Sequence, residues 1–100
     1  MPAGHSVRPQ KWGTDVIDLF DNGDYSAIWG TYENSATRRL GVRWNGDPGN
    51  QGFPNQGGHP TWFVEPNFLT RMILLDFCGQ VVKNNAVGNL NNILTALNEC

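Results

Sequence analysis

The run "FLTRMILLDFCGQVVK", residues 68–83, places the strongest constraint on what this chain can fold into. At about 100° per residue, Asp76, Gln80 and Lys83 form a narrow polar stripe. Met72, Ile73, Leu74, Leu75, Phe77, Cys78, Val81 and Val82 take up most of the remaining circumference. A surface helix of a globular protein shows a narrower apolar face. The pattern therefore predicts a helix over 68–83, capped by Asn67, that needs cover on two sides: a sheet on one and something else on the other.

The sheet is predicted from two segments, "YSAIWGTYE" (25–33) and "RRLGVRW" (38–44), rich in β-branched and aromatic residues and joined by the turn-like "NSAT". A two- or four-residue loop pairs Thr31 with Leu40, Trp29 with Val42 and Ala27 with Trp44 on the core face. Ile28, Gly30, Tyr32, Arg39, Gly41 and Arg43 then share the other face, with Gly30 opposite Gly41. A cross-strand glycine pair weakens a sheet and calls for a close approach by a backbone, a planar group or an acidic partner. A third, short strand over Thr61–Val64 lies between Pro60 and Pro66, a placement that suits a sheet edge.

Residues 1–11, with Pro2, Gly4 and Pro9, read as a flexible arm ahead of a single domain over 12–100, the count expected for a chain of 100 residues. Thr14 reads as the N-cap of a short helix carrying Val16, Ile17 and Phe20 on one face and ending at Gly23. Asp15, Asp18, Asp21 and Asp24 recur every third residue, without the alternating ligand spacing of a calcium loop; they read as a solvated face. Asn89 reads as the cap of a last helix running to about Glu99, with Leu90, Ile93, Leu94 and Leu97 at i, i+3, i+4 and i+7. The expected fold is α+β: a three-stranded antiparallel sheet packed against a buried helix, flanked by a short N-terminal and an amphipathic C-terminal helix.

Residues 45–60, "NGDPGNQGFPNQGGHP", hold five glycines, three prolines and three asparagines. Long loops of this kind are functional or mobile more often than not. Arg43, Trp44, Asp47, Phe53, His59 and Trp62 lie in it or at its ends. Aromatic walls with a few convergent polar groups are what a small-molecule pocket requires, and His59 can change protonation near neutral pH. These six form the candidate pocket, with Phe53 as the anchor of the loop. A second candidate surface is an interface bearing Ile28, Tyr32 and Arg39 from the hairpin and Leu74 and Cys78 from the long helix.

Charged residues are 16% of the chain, against about 25% in a typical soluble domain. Twelve Asn and four Gln carry the polarity instead, and the net charge is −2. Little electrostatic repulsion opposes self-association of such a surface. Seven basic residues on a net-acidic chain argue against nucleic-acid binding, including through Arg38, Arg39 and Arg43 with Tyr32. Cys78 and Cys100 lack the spacing of a metal site or a disulfide framework, which fits a reducing cytoplasm. No apolar leader is evident in residues 1–10, and Met72–Leu75 is too short an apolar run to span a bilayer. The glycine-rich loop has no phosphate-binding ending, and no serine sits in a nucleophile elbow. No catalytic residue, metal or cofactor is assigned.

The runs "KWGTDVIDLFDNGDYSAIWGTYE", "RRLGVRWNG" and "GGHPTWFVEP" resemble the small orphan proteins encoded on bacterial integron gene cassettes. The resemblance covers most of the chain after residue 10. It implies a soluble, cytoplasmic and often homo-oligomeric protein, and carries over no site residues because that group shares no site. The expected function is a non-enzymatic interaction or accessory protein acting as a homo-oligomer, with or without a further protein partner. The alternative is a small-molecule binder using the 45–60 loop and its flanking tryptophans.

Overall fold

The computed structural model describes residues 12–46, 49, 52–56 and 59–100. The arm expected over 1–11 and the candidate residue Asp47 lie outside these. The elements are β1 (Ile17–Asp21), β2 (Tyr25–Gly30), β3 (Arg39–Trp44), β4 (Asn55–Gln56), β5 (His59–Pro60), β6 (Phe63–Val64), α1 (Asn67–Lys83) and α2 (Leu90–Glu99), with a 3₁₀ turn at Asn85–Val87 before α2. Among the described residues the fold is α+β, with a four-stranded antiparallel sheet in the order β1-β2-β3-β6, a two-stranded β4-β5 ladder and two α-helices.

The expected N-terminal helix is instead strand β1. Gly23 does supply a left-handed residue, at φ 97°, but in a hairpin turn rather than at a helix end. Asp21 accepts a hydrogen bond from Gly23 N–H, and Asn22 accepts from Asp24 and Tyr25 N–H, so "DNGD" folds on itself and returns the chain into β2. A bulge between Asp18 and Phe20 leaves Leu19 without a partner in the ladder. Leu19 and Phe20 both join the core as a result, and two adjacent apolar residues facing one way mimic helical spacing in the sequence.

The β2–β3 pairing slides by two residues from the expected register. Trp29 faces Leu40, Ala27 faces Val42 and Tyr25 faces Trp44. An even slip keeps every side chain on its expected face. The cause lies beyond Gly30. Thr31 N–H and Oγ1 both donate to Asp15 Oδ1, at 3.1 and 2.8 Å, and Tyr32 pairs with Trp12. The chain therefore leaves β3 early to meet the segment before β1, and residues 31–38 form the connection. Gly41 now lies opposite Ile28 and Gly30 opposite Arg39, so the two glycines do not face each other. Close approach occurs at both nonetheless. A Cβ on Gly41 would meet the Trp12 ring at 2.8 Å, and one on Gly30 would meet Val16 Cγ2 at 2.6 Å. The planar group over the hairpin is the chain's own indole.

Both faces of the sheet are covered. On one, Ala27, Trp29, Leu40 and Val42 pack against Leu74, Phe77 and Val81 of α1 and Ile93 and Ala96 of α2, with Phe20 stacked on Phe77 at 4.5 Å. On the other, Ile28 is closed over by Trp12 and Trp62. The third strand is confined to Phe63–Val64 and holds the sheet edge beside β3. Pro66, rather than Asn67, stands at the N-cap of α1, and no side chain caps that end. Asn89 does cap α2, accepting from Asn92 N–H at 3.0 Å. Of the expected α2 stripe, Ile93 is buried, Leu90 and Leu97 pack against the core, and Leu94 turns outward.

Candidate interaction surface

Helix α1 carries two apolar faces. Thr70, Leu74, Phe77 and Val81 point into the core. On the far side, Phe68, Met72, Leu75 and Val82 are 79%, 68%, 51% and 71% exposed, so neither the sheet nor α2 covers them. Successive spacings in that outer row are four, three, four and three residues once Gly79 is included. At about 100° per residue the five positions fall within an arc of about 80°. Around a Cβ built on Gly79 there is nothing within 4 Å, so the row is open along its length. Arg71 borders it on one flank, together with half-buried Cys78, and Asp76 and Lys83 border it on the other. Asp76 accepts a hydrogen bond from Gln80 Nε2 at 2.7 Å, which holds its carboxylate in place.

The sequence-predicted interface residues are distributed differently. Ile28 and Leu74 are fully buried by the chain itself and offer nothing to a partner. Tyr32 rests on Trp12, ring centroids 5.1 Å apart, and Arg39 donates to the Glu65 carbonyl at 3.3 Å. Cys78 alone of the five borders the exposed row. The row was legible as part of an all-round apolar helix. Which of its faces the sheet would take was not, because both have the same spacing and similar residues.

Of the candidate pocket residues that the structure describes, Trp44 and Phe53 lie on one face of the sheet and Arg43 and Trp62 on the other. Trp44 and Phe53 form a bridge through two backbone hydrogen bonds, at 2.7 and 3.0 Å. Their rings meet Tyr25 and Phe63 edge-on, and both are exposed on the helix side of the sheet. Arg43 and Trp62 point to the opposite side and are buried. His59 pairs with Gln56 in the small β4–β5 ladder. Phe53, the expected anchor of the loop, is joined to Trp44 by its backbone, and its ring stays exposed.

Arg43 works as a strap. Its Nη1 donates to the Thr61 carbonyl at 2.7 Å and to the Pro54 carbonyl at 3.5 Å, and its guanidinium lies 5.9 Å from the Trp62 ring centroid. Burial lowers its pKa from the ordinary arginine value, though a guanidinium stays charged in a protein. Beside it, Ser26 Oγ donates to Asn45 Oδ1 at 2.6 Å, and Asn45 Nδ2 donates to Asp21 at 3.0 Å. This buried polar chain fixes the start of the loop against the β1–β2 turn.

A cleft of about 500 Å³ opens at the start of α1, between Trp29, Arg38, Phe68, Arg71 and Glu99. Its volume suits a small ligand, but all of its named polar groups except Arg71 are engaged within the chain. Trp29 Nε1 donates to Glu99 Oε1 at 2.6 Å, and Arg38 pairs with Glu99 at 3.5 Å and Asp15 at 3.3 Å. Among the described residues there is no cluster of three metal-ligating side chains, and no helix is long and apolar enough to cross a membrane. No family model matches the chain, and no match is found among curated proteins or solved structures.

Proposed function

We propose that this chain is a small non-enzymatic interaction protein whose working form is a homo-oligomer, serving as an accessory or regulatory subunit in the cytoplasm. The observation that carries the reading is the second apolar face of α1. Four large side chains are left in water on one helix, and contiguous exposed apolar patches mark interaction sites. The low charge of the chain removes most of the electrostatic opposition to a self-contact. Both cysteines are free thiols, in keeping with a reducing compartment. The resemblance to cassette-encoded proteins points the same way.

The small-molecule reading has less support. Its aromatic residues lie on two faces of the sheet, and in the cleft near α1 Arg38 and Glu99 are already paired with each other. Light scattering across micromolar concentrations tests the main reading. A mass that rises toward a multiple of the 11.1 kDa chain is expected, and a strict monomer up to about 100 μM, weaker than ordinary specific association, removes it.

A further inference from the structure

We infer that the occupant of the exposed α1 row is the α1 of a second copy, running parallel to the first about a two-fold axis. The inference rests on the self-association reading above and adds the surface, the direction and the register.

The row has the spacing of a coiled-coil seam. Phe68, Leu75 and Val82 stand as d positions, and Met72 and Gly79 as a positions, of a heptad. Arg71 is then a g position and Asp76 the following e position. In a parallel pair each g residue faces the e residue five places on in its partner. Arg71 of each copy thus meets Asp76 of the other, and two-fold symmetry makes the contact twice.

The antiparallel alternative loses one of two things. Bringing Asp76 opposite Lys83 of the other copy centres the crossing near residue 80. Phe68 and Met72 would then lie beyond the end of the opposing helix, which stops at Lys83. Centring the crossing on Leu75 instead keeps the apolar side chains together but leaves Arg71 and Asp76 without opposite charges across the seam. Only the parallel register uses all four exposed apolar side chains and both charges.

Charge reversal at the two flanking positions provides the test, since both side chains are exposed and the substitutions leave the monomer core intact. Sedimentation velocity on the full chain gives the dissociation constant, with circular dichroism to confirm folding. Arg71→Asp and Asp76→Arg alone should each weaken the dimer about tenfold, because two attractions become two repulsions. The double reversal should return it to within about threefold of wild type, and the single effects should shrink at high salt. As a second readout, Met72→Cys with Cys78 and Cys100 changed to serine should form a disulfide-linked dimer under mild oxidation, since Met72 faces its own copy in this register.

A wild-type monomer overturns the self-association reading itself. A wild-type dimer untouched by Leu75→Asp shows that a different surface pairs and overturns the seam. A dimer that needs Leu75 but is not restored by the double reversal, with no disulfide at Met72→Cys, overturns the parallel register alone.

Discussion

Three residues show how local chemistry fixes this fold. Arg43 is buried because its guanidinium satisfies the carbonyls of Thr61 and Pro54. Arg43→Ala removes a charged donor from carbonyls sheltered from water, and should cost about 3 kcal/mol in urea unfolding. Arg71→Ala, at an exposed site, should change monomer stability by less than about 0.5 kcal/mol. Gly41 gives room to the Trp12 ring. Gly41→Ala should destabilise by about 1–3 kcal/mol through overpacking, with the tryptophan emission of the folded state shifting as Trp12 is displaced. Asp15 ties the chain before β1 to Thr31 and Arg38. Burial alone would raise its pKa, but the hydrogen bonds from Thr31 and Arg38 outweigh that and hold it below its ordinary value of 3.8. Because the folded pKa is the lower one, the stabilisation is fully present above the unfolded value and is lost as pH falls through the folded value. Asp15→Asn should therefore be less stable than wild type at pH 7, with the gap closing as pH drops below about 4; a gap that stays constant into strong acid would contradict this role.

At the scale of the element, α1 separates two kinds of leucine that the sequence presents side by side. Leu74 is fully buried and Leu75 is half exposed. Leu74→Ala should cost about 2–5 kcal/mol of unfolding free energy. Leu75→Ala should cost under about 1 kcal/mol when measured at concentrations where the chain is monomeric, and should instead weaken association. The long helix, the capped last helix and the hairpin face were legible because their patterns come from burial on one side of a regular element. Three features were not. The bulge at Leu19 hid β1, since two neighbouring core residues and a glycine stop read as a helix. The register of β2 on β3 was set by Asp15 and Trp12, residues distant in sequence from the turn. The placement of the six residues expected to form a pocket was the third: strand alternation sends Arg43 and Trp44, neighbours in sequence, to opposite faces.

On the scale of the whole molecule, both faces of the sheet are covered at its centre: two helices close one side, and Trp12 and Trp62 close the other. Among the described residues, the exposed large apolar side chains are the outer row of α1, the aromatic group of Trp44, Phe53 and Phe63 at the loop end, and Leu94 of α2. A helix with similar residues on both faces gains from a partner what the single chain cannot supply, and burial of each such side chain contributes about 1.5–3 kcal/mol. The most direct test is the solution mass of the wild-type chain beside Leu75→Asp, by light scattering coupled to gel filtration at micromolar concentration. The wild type should run at about twice the 11.1 kDa chain mass and the folded Leu75→Asp variant at the monomer mass. Equal masses for the two proteins would contradict the claim that α1 pairs through its outer face.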